Sequence, residues 1–176
     1  MPVLPWYNQL QIDYLEGNKN TIRNYHIFEY GLGYSTIYYS QFAKSLSGVE
    51  TRESWYNLVL KNTENLPNVN LTLVSCNFAD SIETLFFQKN FNKMFIIIDS
   101  NERAKCLQKC TAFALQNKNT KQIVIMLDNS ERENLQTAIT QAQNLGFFTK
   151  HFSSIRPNDG LVSHSTLFCL NEKFFV

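Results

Sequence analysis

His26-Ile27-Phe28-Glu29-Tyr30-Gly31-Leu32-Gly33-Tyr34-Ser35-Thr36 is the stretch on which the fold is decided. Residues 26–30 have the apolar, β-prone make-up of a short buried strand, and residues 35–47 place Ile37, Phe42 and Leu46 roughly at helical spacing, with Ser35 as the N-cap. An acidic residue and a Gly-x-Gly-x-Ser turn join the two. Glycines at 31 and 33 admit unusual φ values and close approach of a ligand to the backbone, and the helix start offers unpaired N–H groups. A Gly-x-Gly turn also fits an ordinary tight loop. The next acid, Glu50, follows about 20 residues beyond the loop, where a carboxylate can accept hydrogen bonds from ribose hydroxyls. Loop and spaced acid together point to an adenosine-containing ligand, either S-adenosylmethionine or a dinucleotide.

Outward from this stretch, short β-type runs alternate with helical patterns, the rhythm of a parallel sheet with helices on both faces. A brief strand at 49–51 precedes a helix at 53–62, a strand at 70–75 and a helix near 80–89. The runs 94–98 and 123–127 are apolar throughout, as expected of central strands covered on both sides. Helices are expected at 102–116 and about 132–144. Gly146 ends the last of them, and 147–152 and 165–170 can pair as an antiparallel hairpin.

The chain has 176 residues, the size of one domain. Its 16 basic and 15 acidic residues nearly cancel, so no general field draws a polyanion to the surface, and nucleic acid is not an expected partner. The longest apolar run, 94–98, is far short of the roughly 20 residues that cross a bilayer, and no membrane span is expected. The first residues lack the basic and apolar regions of a secretory signal. Cys76, Cys106, Cys110 and Cys169 show no paired spacing and read as reduced thiols, which fits a cytoplasmic protein.

Residues 28–36 resemble motif I of class I S-adenosylmethionine-dependent methyltransferases in the form E-x-G-x-G-x-S-T. Val49-Glu50-Thr51-Arg52-Glu53-Ser54-Trp55-Tyr56 is similar to the VE…WY segment that follows it, Ile98-Asp99-Ser100 to the IDG after the fourth strand, and Leu127-Asp128-Asn129-Ser130 to the LDNS of small bacterial members. Gly146-Phe147, Pro157-Asn158 and Ser165-Thr166-Leu167-Phe168 extend the likeness, which covers about residues 26–170. The resemblance implies a Rossmann-like three-layer α/β/α sandwich with a mostly parallel seven-stranded sheet, order 3-2-1-4-5-7-6, closed by an antiparallel C-terminal hairpin. Residues 1–25 would form an arm of the same domain, and 26–176 the cofactor-binding body. It further implies methyl transfer to a small hydroxylated acceptor, with a homodimer as one assembly. Glu29 and Gly31 would lie near the cofactor's amino acid end, with Gly33 and Ser35 along the loop, Glu50 on the ribose, Asn77 and Phe78 on the adenine, and Asp99 beside the cofactor.

Asp99, Asp128 and Asn129 offer hard oxygen donors at neighbouring strand ends, a set suited to Mg²⁺. It is similar to the metal site of catechol-type O-methyltransferases, where the ion acidifies and orients a substrate hydroxyl. Asp-Asn-Ser before a helix is equally a common cap and turn cluster. The chain departs from the catechol-type pattern where a lysine base stands three residues after the first metal Asp, because Glu102 is here. Proton removal would then fall to Glu102, to His164 in the loop before the final strand, or to water, and Asp99 is counted with Glu102 and His164 among the candidate catalytic residues. Trp6, Tyr7, Tyr14 and Tyr25 either cover the cleft or pack the arm. Two other readings compete: an inactive methyltransferase-like module for binding or assembly, and a dinucleotide oxidoreductase, which the missing third glycine disfavours.

Overall fold

The computed structural model describes residues 4–75, 78–82 and 91–171. Seven strands form one sheet: β1 His26–Tyr30, β2 Ser45–Glu50, β3 Val69–Leu73, β4 Lys93–Ile98, β5 Gln122–Asp128, β6 Phe148–Ile155 and β7 Val162–Cys169. Their order is β3-β2-β1-β4-β5-β7-β6, parallel up to β5, with β7 antiparallel to both its neighbours. The expected order and closing hairpin are therefore present.

Side-chain alternation along the central strands divides the core in two. Phe28, Tyr30, Met94, Ile96, Ile98, Ile125 and Leu127 pack with Cys106, Leu107, Leu135 and Ala138, from the helices α6 Arg103–Gln116 and α7 Glu133–Asn144. Ile27, Phe95, Ile97, Val124 and Met126 face the other way. They meet Ile12 and Leu15 of α1 Gln9–Gly17, Ile22 of α2 Lys19–Ile22, and Tyr38 and Tyr39 of α3 Tyr34–Ser40. The helix α4 Glu53–Thr63 joins this second layer through Val59, which packs with Leu32 and Ile37. Burial on both faces is why β4 and β5 read as unbroken apolar runs.

The first crossover departs from expectation. Its helix, α3, ends at Ser40 rather than 47, and β2 begins at Ser45 rather than 49. Leu46, which completes the helical spacing from Phe42, instead alternates with Gly48 in the strand and pairs with Ile27. Gly48 suits that strand because a Cβ there would come within 2.4 Å of the Leu32 side chain. Capping also differs: Gly33 is the N-cap, and Ser35 lies inside α3. The short helix α5 Phe78–Ile82 starts the region expected to be helical at 80–89, whose remainder lies outside the described residues.

The arm is helical and belongs to the sheet's outer layer. Asn8 caps α1 by accepting from the Gln11 amide at 3.0 Å and donates to the Ser163 carbonyl at 3.3 Å. Ser165 Oγ donates to Gln11 Oε1 at 2.7 Å, which ties α1 to β7. Cys106, Cys110 and Cys169 are free, buried thiols, as the spacing implied; Cys76 lies outside the described residues.

Candidate functional site

Parallel topology brings the carboxyl ends of β1, β2, β4 and β5 together, where ligands of open α/β sheets bind. Gly31 turns the chain out of β1 at φ +87°, and a Cβ there would lie 2.0 Å from the Asp99 carbonyl oxygen. The turn thus seats directly on the end of β4, and only glycine fits. Gly33 is extended, and the space where its Cβ would stand is open. Glu50 grips this turn: one carboxylate oxygen accepts from the Leu32 amide at 3.0 Å, the other from the Thr51 and Arg52 amides at 2.7 and 2.8 Å. Thr51 Oγ1 also donates to that second oxygen at 3.4 Å, so it is the first oxygen, with the Leu32 amide as its one donor among the described residues, that keeps a lone pair.

Glu29 is fully buried. It accepts hydrogen bonds from Ser35 Oγ and, at 2.5 Å, from Thr36 Oγ1, which in turn accepts from the Gly33 amide at 2.9 Å. Burial pushes its carboxyl up to about 8; the two hydroxyls pull the other way, and Asp99 and Glu50 add repulsion. The hydroxyls of Tyr7 and Tyr39 are buried near it and, among the described residues, have no hydrogen-bond partner of good geometry. Burial raises the Tyr7 hydroxyl, as do the neighbouring Tyr39, Glu29 and Asp128. A buried carboxylate with only hydroxyl donors is a place that favours a cation.

The oxygens of Asp99, Asp128 and Asn129 do converge, and their centre is a side chain: the guanidinium of Arg103. Arg103 Nη2 donates to Asp99 Oδ1 and, at 3.0 Å, to Asn129 Oδ1, and lies 3.8 Å from Asp128 Oδ2. Its Nε donates to the Asp128 carbonyl at 3.0 Å and Nη1 to the Ser100 carbonyl at 2.5 Å. Arg132 Nη2 donates to the same Asn129 oxygen at 2.9 Å. Asn129 holds a left-handed φ of 52°, a conformation asparagine tolerates well. Burial and Asp99 raise the Asp128 carboxyl, and Arg103 opposes them. Among the described residues, no three His, Cys, Asp or Glu side chains are grouped to hold a metal ion.

Other expected residues fall elsewhere. Glu102 turns toward α5 and its own helix, accepting from the Ala79 amide at 3.3 Å and from Lys105 Nζ at 3.2 Å. His164 is not in a loop: it lies in β7, its carbonyl accepting from the Ser130 amide at 3.2 Å, two strands from β4 and so about 10 Å across the sheet from Asp99. His26 starts β1 at the far end, and His151 meets Thr166 Oγ1 at 2.8 Å within the hairpin. Asn77 lies outside the described residues, as does the side chain of Phe78 at the start of α5. Sequence reasoning did not single out Arg103 or Thr36. The usable signal for Arg103 was its position four residues after Asp99, within reach of a strand-end acid from the first turn of a helix.

Aromatic rings border the loop. Trp6 of the arm stacks on Tyr34 at 6.0 Å between centroids, and Tyr34 meets Trp55 edge-on at 6.1 Å. The Arg52 guanidinium lies 5.8 Å from the Trp55 ring.

No protein-family model and no curated protein matches this sequence. Solved structures do match the fold. An O-methyltransferase from Bacillus cereus in complex with S-adenosylhomocysteine (SAH) has 17% identity and a TM-score of 0.62, covering 95% of this chain and 84% of that one. The O-methyltransferase TomG from Streptomyces achromogenes, in complex with S-adenosylmethionine, has 13% identity and a TM-score of 0.66, covering 94% and 82%. An rRNA methylase from Streptococcus thermophilus has 9% identity and a TM-score of 0.55, covering 96% and 100%. At these identities the likeness shows the architecture alone, a seven-stranded sheet of order 3-2-1-4-5-7-6 with flanking helices, as in a Rossmann-like methyltransferase fold.

Proposed function

We propose that this chain is an S-adenosylmethionine-dependent methyltransferase acting on a small hydroxylated acceptor. The observation that carries the reading is the buried Glu29 carboxyl, held at the end of β1 with two hydroxyl donors and its pKa raised to about 8, next to a glycine turn. A cationic ligand would favour its ionised form. The residues fit such a cofactor on two counts: the open space at Gly33 admits it to the backbone, and Glu50 retains acceptor capacity for a ribose hydroxyl. The near-neutral charge balance favours a small acceptor over a polyanion.

Bound S-adenosylmethionine supplies a methyl group on a sulfonium, open to in-line displacement. Glu29 orients the charged amino acid end, and Glu50 holds the sugar while fixing the turn through Leu32. Trp6, Tyr34 and Trp55 border the loop and offer aromatic surface to the bound cofactor. Asp99, with a side chain 39% exposed and one oxygen turned to Arg103, takes the acceptor's proton on its other oxygen. That role goes to Asp99 rather than Glu102 or His164, since the former is engaged with α5 and Lys105 and the latter is two strands distant. Mg²⁺ has no step here, because its expected donors are directed at a guanidinium.

Calorimetry with S-adenosylmethionine and SAH tests the proposal; no binding of either at millimolar concentration defeats it. One observation favours the second reading, a binding or assembly module: the carboxylates of Glu29 and Glu50 are largely satisfied by the protein's own groups. Tight cofactor binding without turnover across a broad acceptor screen would select that reading.

A further inference from the structure

The ends of β4 and β5 already contain a cation. Each of the three oxygen donors suited to a divalent ion is turned toward Arg103: Asp99 Oδ1 and Asn129 Oδ1 accept from its Nη2, and Asp128 Oδ2 lies 3.8 Å away. The Asn129 oxygen accepts a second bond from Arg132, so both of its lone pairs are used. Nε and Nη1 are anchored on the Asp128 and Ser100 carbonyls, which leaves the guanidinium little freedom to swing out. Arg103 is 7% exposed, and an arginine does not lose its proton in a protein.

We propose that Arg103 is the permanent cation of this site, standing where the metal-dependent O-methyltransferases hold Mg²⁺, so that the chain binds no divalent ion at Asp99, Asp128 and Asn129 and its reaction does not need one. The statement about the reaction rests on the methyltransferase reading; the statement about occupancy does not. Charge explains the exclusion. Two carboxylates facing one guanidinium and the nearby Arg132 are already neutralised, so an entering ion meets two positive groups and an amide oxygen with nothing left to give. Removing Arg103 would leave two partly buried carboxylates beside an amide oxygen, a set that suits a hard cation.

Mn²⁺, a paramagnetic stand-in for Mg²⁺, provides the test by titration followed with electron paramagnetic resonance. The wild-type chain should take up no Mn²⁺ that the Asp128→Asn change removes. Arg103→Ala should bind Mn²⁺ at least about 100-fold more tightly than the detection limit set by the wild type, and Asp128→Asn should remove that binding, since a partly buried acidic pair left without its partner is uncompensated charge. Arg103→Lys, which keeps the charge, should again exclude the ion. Wild-type Mn²⁺ binding lost in Asp128→Asn would overturn the proposal, and so would a folded Arg103→Ala as indifferent to Mn²⁺ as the wild type. If Arg103→Ala does not fold, the wild-type titration decides alone: exclusion supports the proposal and binding sinks it. Failure to bind SAH would defeat the methyltransferase reading while leaving this result intact.

Discussion

The carboxylate of Glu50 accepts the amide proton of Leu32 at 3.0 Å, so the residue that ends β2 fixes the turn that leaves β1. Two neighbouring strands are thereby locked at the point where a ligand would enter. The same carboxylate also satisfies the Thr51 and Arg52 amides, which would otherwise begin the next segment unpaired.

Replacing Glu50 by Ala therefore removes the acceptor of three amides at once. We expect a loss of about 1–3 kcal/mol in stability, the cost of leaving buried donors unsatisfied. SAH affinity should fall by at least about tenfold, since one good hydrogen bond is worth that much. Urea unfolding and calorimetry measure the two effects, and unchanged values in both would remove Glu50 from the site.

The two loop glycines should respond in opposite ways. Gly31→Ala meets the Asp99 carbonyl at 2.0 Å from a left-handed φ, and we expect it to cost about 3 kcal/mol or to prevent folding. Gly33→Ala enters open space from an extended backbone, so its melting temperature should hold while SAH binding weakens. Melting curves beside SAH titrations would expose the contrast; equal melting temperatures for the two variants would contradict the packing described.

Glu29 makes stability depend on pH. Its carboxyl is raised from the usual 4.5 to about 8 in the fold, so the folded state holds the proton more tightly. Its contribution is greatest below pH 4.5 and is lost as pH climbs to about 8, a decline of order a few kcal/mol. Glu29→Gln should flatten most of that slope in urea unfolding, with Asp128, shifted in the same direction, leaving a remainder. A cationic cofactor favours the ionised carboxyl, so its binding near neutral pH should release a proton. Calorimetric enthalpies that do not vary among buffers of different ionisation heat would count against this.

Asp99→Asn keeps an oxygen for Arg103 but loses the base. If Asp99 takes the acceptor's proton, kcat should drop by roughly 10²–10⁴-fold with SAH affinity nearly unchanged. A parallel loss of SAH affinity would assign Asp99 to cofactor binding instead.

Much of the architecture was legible because β4 and β5 are apolar without interruption and the Gly-x-Gly turn follows directly on β1. The edges of β2 were not, since Leu46 satisfies helical spacing from Phe42 and strand alternation with Gly48 equally well, and only pairing with Ile27 decides between them. Of the candidate site, Glu29, Gly31 and Glu50, which the fold gathers at the carboxyl ends of β1 and β2, could be picked out by spacing along the chain. What faces Asp128 could not be, because Arg103 reaches it only after β4 and β5 pair in parallel, Ile98 beside Leu127. Composition says that the oxygens are there; which positive group they turn to is a property of the assembled sheet. His164 was misplaced for a similar reason, as β7 extends back to Val162 through its pairing with Ile155.

The seating of α1 on the hairpin also bears on how the chain is made. Asn8 contacts Ser163 across 155 positions of sequence, and Gln11 meets Ser165 across 154. During synthesis the contacts of α1 with β7 therefore wait until the residues of that strand have left the ribosome. Such distant partners slow folding, and the nascent arm carries Ile12 and Leu15 as exposed apolar surface until the sheet they pack against has assembled.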